Sequence, residues 1–283
     1  MSGKSESDTP ADNSAHDDGG QRLVPGFSYP SYDIVIGETD QADKLRCCNV
    51  DPTVFGDRVD ITAYAMEGIL AARRAGVSIN GSVHMTQTFS LHSPIRLGER
   101  LYLRGKVVAE HPDPRGRIVD SEFEVVRSDG SIPLTLGRSS LRMDAERAAA
   151  ARAPTADGAR KPSTAAWDGH GFVLESNRQL EPDKVARYSI EAENLIHSDP
   201  EVARRFGFRA PIAGGLMAVR MMMEVLARRG PIDRLEMAVR FRRPMFWDEQ
   251  LRVYANWDDG RMVVLNGEDK IANEARVSLI EHG

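Results

Sequence analysis

His197 is the residue whose surroundings could do chemistry. It stands in Asn194-Leu-Ile-His197-Ser-Asp199-Pro200, just ahead of a short charged segment. A turn with Gly207 and Pro211 leads from there to the glycine pair Gly214–Gly215. The pair opens a stretch, Leu216 to Arg229, with Leu216, Met217, Val219, Met221, Met222, Met223, Val225 and Leu226 on nearly every face of a helix. Such a helix must be wrapped rather than laid on a surface, and its methionines read as core. The first amides of a helix lack intrahelical partners and carry the positive end of its dipole. A polar turn aimed at that end can hold a polarised carbonyl, with an imidazole beside it to move a proton.

Around these lie the supporting candidates. Glu193, with Glu191, offers a carboxylate close to His197, although acids are favoured at a helix mouth without any chemistry. His197 and Ser198 could equally cap the short helix that follows. Gly215 would supply an amide to a carbonyl oxygen, with Gly214 and Leu216 beside it. Asn194 belongs with the substrate-contacting set chiefly by shaping its loop. Arg240, Arg242 and Arg243, with Arg209, are either a solvated strand face or a meeting point for ligand phosphates.

The elements that must position these groups fall into two halves. The chain has 283 residues, enough for one large domain or two ordinary ones. Residues 1–22 hold little to bury and read as a disordered tail; residues 147–166 (RAAAARAPTADGARKPSTAA) read as a linker. Between and beyond them, segments echo each other in order. Phe89-Ser-Leu-His-Ser-Pro94-Ile-Arg-Leu-Gly-Glu99 matches Val239-Arg-Phe-Arg-Arg-Pro244-Met-Phe-Trp-Asp-Glu249. Gly137-Arg-Ser-Ser-Leu141 answers Ala275-Arg-Val-Ser-Leu279, and helices ending in Arg74-Ala-Gly76 and Arg229-Gly230 precede each set. Repeated echoes in one order indicate an internal duplication, residues 23–146 and 167–283. Each half reads as a long helix followed by strands with period-2 alternation, joined at turns such as Asp129-Gly130 and Asp259-Gly260. A curved antiparallel sheet around each helix, the two sheets merged side by side, would bury both helices and remove two exposed edges.

Bulk properties narrow the function. With 41% apolar and 28% charged residues and a net charge of −5, the chain reads as a globular protein and not a nucleic-acid binder. No apolar run reaches membrane-spanning length, and the N-terminus is polar, so no membrane or export role is expected. The only cysteines, Cys47 and Cys48, are adjacent and read as buried small residues of a reducing, cytoplasmic setting. Histidines are scattered and no glycine-rich phosphate loop follows a strand, so no metal or redox cofactor is implied.

The region from about 186 to 255 resembles the MaoC-like (R)-specific enoyl-CoA hydratases and 3-hydroxyacyl-thioester dehydratases, which have the hot-dog fold. Their pattern runs roughly Tyr-x-x-x-Ser-Gly-Asp-x-Asn-Pro-x-His-x-Asp-Pro, then Gly-Phe-x-x-Pro-Ile-Ala-His-Gly-Leu. Tyr188, Asn194, His197, Asp199, Pro200, Gly207, Phe208, Pro211, Ile212, Ala213, Gly215 and Leu216 fit it. Ala192 stands in place of the Asp, Ile190-Glu191 in place of Ser-Gly, Leu195 in place of the Pro, and Gly214 in place of the helix-opening His. The resemblance implies an α+β double hot dog, with the motif kept in the C-terminal half only. It implies hydration of 2-enoyl thioesters, or the reverse dehydration, on an acyl-CoA or acyl-carrier substrate. His197 would be the acid/base, with Glu193 standing in for the missing carboxylate. Two other readings stay open: a non-catalytic thioester-binding or partner-stabilising protein, and a thioesterase using Glu224 of the central helix. Two fused halves already form the pair that single hot dogs make, and a homodimer of the whole chain stays open beside that.

Overall fold

The computed structural model describes residues 22–152 and 167–283. Each half begins with a strand, β1 (Ser28–Val35) or β6 (Val173–Gln179). In the first half α1 (Glu38–Cys47) and the central helix α2 (Thr62–Arg74) follow, then β2 (Ser82–Leu91), β3 (Arg100–Asp113), β4 (Gly116–Val126) and β5 (Leu134–Met143). A short helix, α3 (Ala145–Arg152), closes this half. In the second half α4 (Pro182–Ser189) and α5 (Pro200–Arg205) precede the central helix α6 (Gly215–Ala227). Strands β7 (Ile232–Phe241), β8 (Gln250–Asn256), β9 (Arg261–Leu265) and β10 (Ile271–His282) complete the chain.

All ten strands form one antiparallel sheet in the order β1-β3-β4-β5-β2-β7-β10-β9-β8-β6. The order is the same from either end once β1–β5 are exchanged for β6–β10, as an internal duplication requires. The halves join at β2 and β7, where Phe89 lies opposite Met237 and Gln87 opposite Val239. The corresponding strands of the two halves thus meet at the centre of the sheet, as the duplication requires. The expected double hot dog, an α+β fold with each half of the sheet packed against its own helix, is therefore what the chain forms.

The echo between β5 and β10 is one residue out. Arg138 lies opposite Gln87, and the corresponding residue opposite Met237 is Val277, not Arg276. A one-residue offset turns a side chain to the other face of a strand. Arg276 is accordingly exposed while Arg138 is only 7% exposed, at a position that is apolar in the second half.

The core runs between sheet and helices. Every residue of α6 from Leu216 to Ala227 is buried. Two of them are charged. Arg220 donates to Asp60 Oδ2 at 2.5 Å and to the Tyr188 hydroxyl at 3.1 Å, tying α6 to the start of α2. Glu224 accepts from Arg178 at 2.9 Å and from Arg228 at 2.6 Å. Both cysteines are buried as expected, and burial pushes their thiols up from the ordinary range. Residues 147–152 of the expected linker belong to α3, whose first turn is capped by Asp144 accepting from the Arg147 amide at 2.9 Å. The rest of that linker, 153–166, and residues 1–21 of the expected tail lie outside the described residues. Among the described residues no helix is long and apolar enough to cross a membrane.

Candidate active site

Asp199 caps α5 by accepting from the amides of Glu201 (2.7 Å) and Val202 (3.1 Å), with Pro200 in the first turn. That leaves His197, in the turn Leu195–His197, free for another role. Its Nδ1 lies 2.7 Å from the carbonyl oxygen of Ile212, two residues before the helix-opening glycine pair. A carbonyl accepts only, so Nδ1 carries the proton and Nε2 keeps the lone pair of the neutral ring. Burial pushes the imidazole below its ordinary pKa, and the Ile212 bond opposes this in part. A neutral ring with a basic Nε2 is the form a general base needs.

His197 lines a cavity of about 170 Å³ together with Ala192, Gly214, Gly215 and Leu216. The amides of Gly215 and Leu216 open α6 and have no carbonyl within the helix to bond. Gly215 is also a packing requirement: an added Cβ would lie 2.7 Å from the Phe241 ring. At Gly214 the same Cβ would find ordinary contacts, 3.5 Å from Ser189 Oγ, so that position has room for a side chain.

The loop is held against the other half of the molecule by Asn194. Its Oδ1 accepts from the Gly81 amide at 2.9 Å and its Nδ2 donates to the Ser82 carbonyl at 2.8 Å. Gly81 has φ +74°, and a Cβ there would overlap the Phe206 ring at 2.4 Å, so only glycine lets the loop lie this close. Both ends of the Asn194 amide are thus engaged. Its place is in the wall of the cavity, where it clamps the loop.

Glu193 is not brought to the cavity. It takes a left-handed conformation (φ 50°), its side chain is 65% exposed, and it pairs with Arg73. Glu191 likewise turns outward to Lys44 at 2.9 Å. Ala192 between them points inward and is buried, so the acid positions flank the site without entering it. Arg240 is exposed and does not line the cavity. Arg242 and Arg243 do, but Arg242 is paired with Glu274 (2.8 Å) and Arg243 donates to the Ile271 carbonyl (2.8 Å). Arg209 stacks on Phe246 and bonds Glu249 at 2.8 Å. Glu224, held by two arginines, is fully buried and is not part of the cavity wall.

Much of the cavity wall comes from the first half, and two of its polar residues, His84 and Arg138, were not among the expected site residues. His84, on β2, stacks on Phe241 with centroids 5.3 Å apart and planes 14° apart. Its Nε2 is buried without a hydrogen-bond partner. Burial first, then Arg138 and His197, push its pKa down to about 3, so the ring is neutral at ordinary pH. Arg138, on β5, is the second. No spacing within the sequence links either residue to His197; the cross-strand pairing that gathers them is a property of the folded sheet.

Residues 165–281 match the family model of the MaoC like domain. No curated protein sequence matches the chain. Among solved structures, HtdX from Mycobacterium tuberculosis superposes with a TM-score of 0.70 at 19% identity, over 87% of this chain and 98% of that one. The full-length peroxisomal multifunctional enzyme type 2 of Drosophila melanogaster gives 0.65 at 16% identity, over 89% of this chain and 48% of that one. A conserved hypothetical protein of Mycobacterium tuberculosis with a double hot-dog fold gives 0.59 at 14% identity, over 90% and 96%. At these identities the superpositions speak for the fold alone: the chain is a double hot dog, and its residues 165–281 are similar to the MaoC like domain.

Proposed function

We propose that the protein hydrates 2-enoyl thioesters to 3-hydroxyacyl thioesters, or runs the reverse dehydration. The observation that carries this reading is the tautomer of His197: with Nδ1–H bound to Ile212 O, Nε2 is a neutral base in the same cavity as the open amides of α6. In hydration, His197 Nε2 takes a proton from water while the water oxygen bonds the β-carbon. The electron pair of the double bond moves onto the thioester oxygen, where the amides of Gly215 and Leu216 receive the charge. The protonated imidazole then returns the proton to the α-carbon, so one water is added and the base is regenerated. In the absence of an acid at 192, His84 serves as the second hydrogen-bonding partner of the water, as a neutral ring. Acyl-CoA is the natural substrate to offer, and a carrier-bound acyl group presents the same thioester.

The test is direct. Incubation with crotonyl-CoA and longer 2-enoyl-CoAs should consume the conjugated absorbance and yield the 3-hydroxyacyl-CoA. Release of free thiol without hydration would transfer the protein to the thioesterases. A second reading, a non-catalytic thioester-binding protein, is favoured by one observation: Ala192 is apolar and both neighbouring acids face outward. It predicts binding of acyl-CoA with no turnover.

A further inference from the structure

Arg138 has a charge without a counterpart. The five arginines that line the cavity are Arg115, Arg138, Arg142, Arg242 and Arg243. Arg115 is bound to Asp113, Arg142 to the Ser78 carbonyl, Arg242 to Glu274 and Arg243 to the Ile271 carbonyl. Arg138 pairs with no carboxylate among the described residues. Its Nε is buried without a partner, and its guanidinium lies over the Phe123 ring, 5.3 Å from the centroid. The polar neighbour it has is the Tyr29 hydroxyl, itself shared with Ser121 Oγ at 2.9 Å. Burial accordingly pulls the guanidinium below its ordinary pKa. A buried charge is ordinarily kept only when paired, and a guanidinium presents a planar fork that fits a carboxylate.

The place of Arg138 defines what would pair with it. Ser140, two residues further along β5 and on the same face, lies opposite His84. Arg138 is therefore about 7 Å along the sheet from the level of His84. It lies within the sheet, 7% exposed, whereas Arg242 at the cavity wall is exposed. The anion it meets is thus carried on the acyl part of the ligand and not on the coenzyme's phosphates.

We infer that the cavity is built for a short acyl thioester bearing a second, distal carboxylate, which pairs with Arg138. The inference rests on the proposed thioester chemistry, and deepens it by naming the substrate class. With the carboxylate bound to Arg138, the double bond next to the thioester is drawn between His84 and His197. A methyl-terminated chain of equal length leaves the guanidinium unpaired, as it is in the empty cavity, and so lacks the stabilisation that the carboxylate gains.

The experiment compares a series of ω-carboxy-2-enoyl-CoAs with their methyl-terminated counterparts, in the parent protein, Arg138→Gln and Arg138→Met. The expected result is a kcat/KM at least about a hundredfold higher for the best carboxylate substrate, with that preference lost in both variants. Arg138→Met should also unfold at a higher temperature than the parent, because an uncompensated charge has been removed; a merely structural arginine would lower it. Titration calorimetry with the saturated ω-carboxyacyl-CoAs separates the two proposals. Preferential binding lost in Arg138→Gln, with no turnover of any thioester, upholds the subsite and overturns hydration. Hydration of both series at equal kcat/KM, or a preference that survives both substitutions, overturns the subsite and leaves hydration standing.

Discussion

His84 and His197 come from opposite halves of the duplication and line the same cavity; burial holds both rings neutral, and His197 adds to the effect at His84. One is fixed by a carbonyl and the other by an aromatic face, His197 through Ile212 O and His84 through Phe241. Phe241 also presses against Gly215, so a single ring sets the spacing between β2 and the start of α6.

His84→Leu should therefore lower kcat by one to two orders of magnitude, roughly the share expected of a hydrogen bond to the reacting water, while acyl-CoA binding stays within a few-fold of the parent. Steady-state kinetics on a 2-enoyl-CoA with a parallel binding titration checks it. A KM effect alone would assign His84 to the wall of the cavity.

The same histidine makes stability depend on acid. Its folded pKa is about 3, against about 6.5 in the unfolded chain. Between those values the unfolded state holds a proton that the folded state does not, so the contribution is intact above about pH 6.5 and is lost as pH falls toward 3. Denaturant titrations should show up to about 1.4 kcal/mol less stability per pH unit from this group in that window. His84→Leu should flatten the slope by that amount. His197, also depressed, acts in the same direction, and it places the acid limb of activity below about pH 6.5.

Much of this site could be read from the chain because it is continuous. His197, Gly214, Gly215 and Leu216 fall within one short segment, and the wrapped helix announced itself by methionines on every face. The duplication was legible at Pro94 and Pro244, and the sheet repeats it strand for strand. Glu193 was misplaced because its left-handed backbone, invisible in composition, turns the side chain to Arg73. Arg138 was hidden because the echo with Arg276 is a residue out of register, which inverts the face it occupies. His84 was hidden for a different reason: a lone histidine in a strand carries no local signal.

Ala192 is buried against the cavity, where the resembled family carries its Asp. Ala192→Asp should raise kcat several-fold if a carboxylate there can share the water with His197, and should raise the acid limb of the pH profile as the new charge favours imidazolium. Unchanged activity with an unchanged limb would mean that His84 already fills that place.

The Asp60–Arg220 pair holds α6 to the first half with both side chains almost fully buried. Asp60→Ala leaves the guanidinium uncompensated and should cost about 3–5 kcal/mol in chemical denaturation. The double variant with Arg220→Met should recover most of the loss. No recovery would show that Asp60 acts through its bond to the Thr62 amide (3.1 Å) instead.

His197→Gln isolates the role of the imidazole, because it keeps a hydrogen-bonding side chain of similar size while removing the base. Hydration of a 2-enoyl-CoA should fall by about 10²–10⁴ in kcat, with acyl-CoA still bound by the variant. A variant that hydrates at the parent rate would show that His197 is not the base.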